Sequence, residues 1–181
     1  MNFAFVSGRP CLDFAGTLKW RRRERSEEQL TGPTRLAEWA RAGQLISGSM
    51  PVTSAKLAKS ILVREAIYRL VTQRIAGDPI DPSALDKLNL AARHRPLTPQ
   101  LVNGNLRWHG SVDQLISTVA RDALELLGSE QLKNVRECTG QECTRLFIDT
   151  SRGNNRRWCG MGECGHRAKV EAFRRRQSVE A

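Results

Sequence analysis

Apolar residues recur every three or four positions in four stretches of the chain, which is the spacing that places them on one face of an α-helix. The longest stretch begins at Thr53 or Ser54, either of which can cap a helix, and it ends before Gly77. The pattern, with its capping residues, predicts helices over residues 34–43, 53–75, 81–93 and 111–128.

Other segments have the pattern of short strands. Residues 3–6 and 11–14 are apolar and are separated by a glycine and a proline, which favours two strands or a strand and a turn. Residues 100–102 and 106–108 flank an Asn-Gly pair, which supplies the positive φ angles of a hairpin turn. The sequence therefore predicts an α+β protein whose N-terminal domain is mainly helical, with short strands or a hairpin.

The composition changes at Cys138, beyond which glycine, arginine and cysteine replace most aliphatic residues. The spacing there is Cys138-x4-Cys143, fifteen residues, and then Cys159-x4-Cys164. Two close pairs separated by a hairpin-sized insert suit a tetrahedral zinc ion. We therefore predict an N-terminal domain over residues 1–134 and a small zinc finger over residues 135–181.

The pattern inside this finger predicts its fold. Residues 145–148 are strand-like, residues 149–153 favour a turn, and residues from 165 onward favour a helix. A knuckle, a hairpin and a helix whose first turn carries the last ligands make a treble clef. So few aliphatic residues cannot bury enough area to fold alone, and zinc binding, worth roughly 10–16 kcal/mol in small zinc domains, makes up the deficit.

Four cysteines have other possible uses. Two disulfides are disfavoured because the chain has no signal-peptide pattern, which predicts a cytoplasmic protein with reduced thiols. An iron–sulfur cluster usually needs tighter spacing. Four cysteine ligands leave no open position, so the predicted zinc ion is structural. His166 is expected to point away from the metal, and Cys11 is expected to be a small buried hydrophobic residue.

The net charge of the chain also predicts a class of binding partner. The chain has 29 basic and 19 acidic residues, a formal net charge of +10, and no apolar run long enough to cross a bilayer. Such a basic protein usually has a polyanionic partner, most often nucleic acid. A solvated surface is the alternative for the same residues, as it is for the basic run at 19–25, which we expect to be exposed. The candidate nucleic-acid-binding residues surround the cysteines: Arg152, Arg156, Arg157, Arg167, Lys169, Arg174 and Arg175.

The cysteine-rich segment resembles the CGNR zinc finger, a bacterial treble-clef family. The matching positions are the four cysteines, Phe147, residues 149–151 and 157–158, Met161, residues 165–167 and Lys169. The asparagine that gives the family its name is His166 here. The segment GRPCLDF at residues 8–14, with Thr17, resembles the ABATE domain that accompanies this finger, although Gly16 stands where the family more often has asparagine. The resemblance implies a stress-linked transcription regulator whose N-terminal domain binds a ligand.

The leading hypothesis is a DNA-binding transcription regulator with one structural zinc ion. The alternatives are a zinc-stabilised protein-interaction module and an RNA-binding module. A small-molecule ligand of the N-terminal domain would bind at Arg9 and Asp13, which we take as candidates. No catalytic motif is present, so no enzyme activity is expected. The sequence does not specify an oligomeric state, since Val119 and Leu126 suit either a dimer interface or a core.

Overall fold

Four helices lie where the apolar periodicity predicts them. The structure, a computed structural model, describes residues 3–166, 169–170 and 177. Thr53 accepts a hydrogen bond from the Lys56 amide, Asp81 caps the next helix, and Ser111 forms a capping box with Gln114. These caps explain why the predicted boundaries are confirmed to within one or two residues. The helices are α2 (Pro33–Ala42), α3 (Ser54–Ala76), α4 (Pro82–Ala92) and α5 (Val112–Leu127).

The predicted hairpin between α4 and α5 is also confirmed. Two short strands near the N-terminus, β1 (Leu18–Lys19) and β2 (Glu27–Glu28), form an antiparallel pair. In the predicted hairpin, strand β3 (Thr98–Val102) pairs antiparallel with β4 (Asn105–His109). The two turn residues between them, Asn103 and Gly104, have φ angles of 50° and 73°. Only this left-handed conformation lets a two-residue turn match the twist of the strands.

The N-terminal segment differs from the prediction. Residues 11–14 belong to a short helix, α1 (Pro10–Ala15), and residues 3–6 form no strand. Pro10 begins the helix, where its missing N–H costs nothing. The Asp13 side chain accepts hydrogen bonds of 3.0 Å from the amides of Val6 and Ser7, which holds the preceding segment against α1. A four-residue apolar run is too short to show which periodicity it follows.

The main hydrophobic core lies where α3 packs against α1, α4 and α5. Its largest fully buried side chains include Trp39, Phe14 and Leu70. Val119 and Leu126 are both 0% exposed. These two residues therefore form part of the core rather than a surface available to a second chain.

The cysteine-rich segment begins with a 3₁₀ turn (Glu130–Asn134), followed by β5 (Val135–Glu137), β6 (Leu146–Ile148) and a π-helical turn (Met161–Gly165). Strand β6 confirms the predicted strand, and it pairs antiparallel with β5, which precedes the first cysteine. A turn at residues 151–154 confirms the turn predicted there, and the rest of residues 149–158 has irregular backbone instead of a second strand. The cause is local, because the Asp149 carboxylate accepts hydrogen bonds from Ser151 and from the Arg156 amide.

Strand β6 connects the two parts of the chain. Side chains alternate between the two faces of a strand. Leu146 and Ile148 face the main core, whereas Phe147 packs among the cysteines. The strand therefore contributes to both hydrophobic clusters at once.

Candidate metal centre

The four C-terminal cysteines meet at one point. All four Sγ atoms lie within 4.8 Å of one another. The Sγ atoms of Cys159 and Cys164 are 3.8 Å apart, and those of Cys143 and Cys159 are 4.0 Å apart. Four thiolates about 2.3 Å from a central zinc ion would be about 3.8 Å apart, whereas a disulfide needs about 2.05 Å. The cysteines are free, so the geometry fits a metal and not disulfides.

The turn between β5 and β6 presents Cys138 and Cys143. Within it, the Gly140 amide points at the Cys138 Sγ atom at 3.4 Å, and the Cys143 amide donates to the Gly140 carbonyl. A Cβ atom at Gly140 would lie only 2.9 Å from the Cys164 Sγ atom. A glycine is therefore needed at position 140 for the knuckle to approach the second cysteine pair.

The second pair comes from the insert and the turn that follows it. The Cys159 amide donates a hydrogen bond of 3.2 Å to the Cys138 Sγ atom. Cys164 lies in the π-helical turn that begins at Met161, so a helical turn carries the last ligand as predicted. His166 is exposed, and among the described residues it is not one of the groups that could hold a metal ion.

The ionisation of the four sulfurs suits a bound cation. Hydrogen bonds from the Cys143 and Cys159 thiols lower the pKa of Cys138 to about 2. Burial, followed by the charges of Cys143 and Cys138, raises the pKa of Cys164 to about 12. One sulfur can thus ionise while its neighbours stay protonated, because four adjacent negative charges repel one another. A divalent zinc ion compensates that charge and binds thiolates in tetrahedral geometry.

An apolar shell surrounds the four sulfurs. Phe147 is 0% exposed, and Trp158 packs half-buried against the cysteines. We call these six residues the zinc cluster: Cys138, Cys143, Phe147, Trp158, Cys159 and Cys164. With four sulfur donors and an apolar shell, the site holds one structural zinc ion.

Arg156, a predicted nucleic-acid-binding residue, instead makes contacts within the chain. Its guanidinium donates hydrogen bonds to the carbonyls of Trp158, Ile148, Val6 and Cys159. It also lies over the Phe147 ring, 4.4 Å from the centroid. Because all three guanidinium nitrogens already donate hydrogen bonds within the chain, few donors remain for a phosphate. Arg156 is therefore not part of the candidate nucleic-acid-binding surface. Its neighbour Arg157 has the same chemistry, and no sequence signal distinguishes the two.

Other predicted basic residues remain available. Arg152, Arg157 and Lys169 are exposed. Within the described part of the chain, Arg152 and Arg157 form no ion pair, and the Arg157 guanidinium lies 5.4 Å from the centroid of the Trp158 ring. The predicted residues Arg167, Arg174 and Arg175 lie outside the described residues.

The sequence predicts that the basic run at residues 19–25 is exposed, but the structure shows that part of this run is paired within the chain. Arg21 pairs with Glu65 and lies over the Tyr68 ring, and its side chain is 10% exposed. Arg22 pairs with Glu137 on β5, and Arg23 pairs with Glu142 in the knuckle. We call Arg21, Arg22 and Arg23 the arginine segment. Its charges are matched by acidic partners in α3 and in the finger, so it connects the two parts of the chain through ion pairs at the surface.

A second contact between the two parts was not found from the sequence. Arg145 is only 6% exposed, and its guanidinium donates a hydrogen bond of 3.1 Å to the Ala4 carbonyl. A Cβ atom at Gly16 would lie 2.7 Å from the same guanidinium. The absence of a side chain at Gly16 therefore leaves the space that Arg145 occupies. The sequence offers one signal of this contact, namely a glycine directly after an apolar run.

The predicted ligand-binding residues Arg9 and Asp13 are also structural. The Arg9 Nε atom donates a hydrogen bond of 2.8 Å to Asp122 on α5, and its other nitrogens contact the Asp122 carbonyl and Gln131. Asp13 is occupied by the amides of the segment before α1, and burial raises the pKa of its carboxyl group. Both side chains hold α1 in place instead of lining a ligand site. Cys11 is fully buried, as predicted, and burial raises the pKa of its thiol.

A mainly helical α+β fold joined to a four-cysteine structural metal site defines a zinc-finger protein. Residues 8–130 match the ABATE family, described as "Putative stress-induced transcription regulator", and residues 134–177 match the CGNR zinc finger. The chain therefore belongs to the ABATE family and carries a CGNR zinc finger. A comparison with curated proteins finds no match. Among the described residues there is no helix with the length and apolar character that a bilayer crossing requires.

Proposed function

We propose that this chain is a DNA-binding transcription regulator whose zinc finger contacts the phosphate backbone through Arg152, Arg157 and Lys169. We include Arg167, Arg174 and Arg175 in this surface because they follow the last zinc ligand, Cys164, in the sequence. The N-terminal domain acts in the proposal as the sensor of a small molecule. The family description, "Putative stress-induced transcription regulator", supports the regulatory role.

One observation carries the proposal, namely the contrast between paired and unpaired arginines. Arg9, Arg22 and Arg64 each face a carboxylate within 2.7 Å or less. Arg152 and Arg157 are exposed in the loop that leads to Cys159 and have no carboxylate partner among the described residues. Exposed guanidinium groups on a metal-stiffened loop suit phosphate oxygens, which they can bind through two parallel hydrogen bonds.

The position of Trp158 favours a duplex over a single strand. Proteins that bind single strands usually stack bases on exposed aromatic rings. Trp158 is half-buried against the cysteines, and the Arg157 guanidinium lies near its ring. The aromatic residue is therefore used for packing, which leaves charge as the main source of affinity.

A salt titration tests this surface. The zinc-loaded chain is titrated into fluorescent genomic duplex fragments, and binding is followed by anisotropy from low to moderate salt. The wild-type protein is compared with R152Q/R157Q, and the matched control is R41Q/R74Q, which removes the same charge from exposed sites on α2 and α3. Removing one arginine–phosphate interaction should reduce the log–log salt slope by about 0.9, so R152Q/R157Q should flatten the slope by nearly two.

Three results would contradict the proposal. The first is a wild-type affinity that does not change with salt, and the second is an equal loss of slope in R41Q/R74Q. The third is binding to single-stranded RNA that duplex DNA cannot displace, which would assign the surface to RNA. If a pull-down instead gives a stoichiometric protein partner and no nucleic acid, the finger is a protein-interaction module.

A further inference from the structure

A groove opens between α3, α4 and α5, and none of the zinc-cluster residues lines it. It encloses about 400 Å³. The first three turns of α3 face the second half of α4 across it, and the start of α5 lies at one end. The lining residues that matter most are Lys59, Leu62, Val63, Lys87, Leu90 and Ile116.

The floor and walls of this groove are apolar. Val63 and Ile116 lie beneath it and are 8% and 6% exposed. Leu62 on α3 and Leu90 on α4 stand beside them and are 56% and 62% exposed. Single exposed leucines are common, but two that border one concave apolar surface are typical of a binding site.

The rim of the groove is positively charged. Lys56, Lys59, Lys87 and His94 line it, and the acidic residue among the lining groups is Asp113. Asp113 is already paired with Lys56. The Lys87 ammonium contacts only Ser83 on its own helix, and within the described residues no carboxylate pairs with Lys59 or Lys87. Two cations therefore stand beside an apolar floor without a counter-charge.

We propose that this groove binds a small amphipathic anion. A carboxylate or phosphate head group would contact Lys59 and Lys87, and a short aliphatic body would cover Val63 and Ile116 between the two exposed leucines. The volume lies in the range of small-molecule sites, about 300–1,000 Å³. This inference deepens the sensor role of the proposed function, and it replaces Arg9 and Asp13 as the ligand site.

Charge argues against the groove being covered by a second copy of the chain. The net charge is +10, and a two-fold contact at this face would bring the lysines of one rim toward those of the other. An anionic occupant instead supplies the charge that the rim lacks. Apolar area provides affinity, and the two lysines select the anion over a neutral molecule of the same shape.

The experiment uses the zinc-loaded full chain without nucleic acid, so that it does not depend on the proposed finger surface. Octanoate and octyl phosphate are titrated by calorimetry, with octanol as the neutral probe of the same chain length. We expect saturable 1:1 binding of at least one anion, and the tighter of the two identifies the head group. In K59Q/K87Q and in L90N the affinity should fall by at least about tenfold, since each removes a charged or apolar contact. The control L101N changes a leucine that is 76% exposed on β3, and it should bind like the wild type.

All the altered side chains are exposed, so each variant should keep its helical circular dichroism and its zinc content. The proposal is wrong if neither anion binds saturably, or if octanol binds as tightly as the anions. It is also wrong if K59Q/K87Q and L90N bind like the wild type. A dimer of the chain that L90N dissociates in sedimentation would overturn it as well, because the groove would then be a subunit interface.

Discussion

The main core and the zinc cluster are stabilised in different ways. The main core buries large apolar side chains from α1 to α5, and each contributes about 1.5–3 kcal/mol when it leaves water. In the zinc cluster the one fully buried large side chain among the described residues is Phe147, and the remaining contacts involve Trp158 and four sulfurs. We therefore expect the first region to fold by burial alone and the second to need the metal.

The two regions are nevertheless not independent. Strand β6 turns Leu146 and Ile148 toward the main core and Phe147 toward the zinc cluster. The Ile148 amide also donates a hydrogen bond of 2.9 Å to the Ser7 carbonyl. Loss of zinc should therefore release one face of β6 while the opposite face stays packed.

Zinc removal should give the largest difference in stability between the two regions. In C159S/C164S two of the four ligands are removed, and with them most of a binding free energy of roughly 10–16 kcal/mol. We expect the zinc content to fall from one ion per chain to nearly none. Hydrogen exchange should accelerate over residues 138–166 but not in α3 or α5. The control C11A should keep its zinc, since Cys11 is buried in the main core. If α3 and α5 lost protection together with the finger, the two regions would form one cooperative unit.

A truncation in the main core should have the converse effect. Leu126 is 0% exposed, so L126A should lower the free energy of unfolding by about 2–5 kcal/mol through reduced burial and a cavity. L90A, at a position that is 62% exposed, should change it by less than about 0.5 kcal/mol. Denaturant unfolding measures both, and the zinc content of folded L126A should remain one ion per chain. A stability of L126A equal to that of L90A would show that the core does not depend on this side chain.

The polar contact that fastens α1 to α5 should have a smaller effect. Asp122 accepts hydrogen bonds from the Arg9 guanidinium and, at 2.8 Å, from the Cys11 amide. In D122A both donors lose their acceptor, which should cost about 1–3 kcal/mol of unfolding free energy. The exposed residue Asp86 on α4 provides the control D86A, which should be nearly neutral. A double-mutant cycle with R9A measures the coupling, and additive effects would mean that the pair contributes nothing.

The arginine segment should have the smallest effect on stability. The side chain of Arg22 is 65% exposed, and Glu142, the partner of Arg23, is 47% exposed. Exposed ion pairs contribute less than about 1 kcal/mol each and are weakened by salt. We expect R22A/R23A to lower the free energy of unfolding slightly at low salt and not at high salt, with R41A as the control. A large loss that persists at high salt would mean that the segment holds the finger in place by packing.

Much of this fold could be read from local patterns. Helices α3 and α5 were predicted correctly because periodicity and capping act within a few residues of one another. The helix α1 was missed because a six-residue element is too short to show a period, and because one contact that holds it, from the Cys11 amide to Asp122, joins residues 111 positions apart. The metal site was predicted because the spacing within each cysteine pair already places two sulfurs in one tight turn.

The sequence was sufficient for the four longer helices, the 98–109 hairpin and the metal ligands, whose causes are short-range. The fold alone determined the direction and partners of long side chains. Arg22 meets Glu137 across 115 positions, and Arg156 reaches the Val6 carbonyl across 150. No local pattern distinguishes these arginines from exposed ones, because an identical guanidinium is buried or solvated according to what the rest of the chain brings against it. The groove between α3, α4 and α5 has the same origin, since its floor and rim come from helices that become neighbours only after the chain has folded.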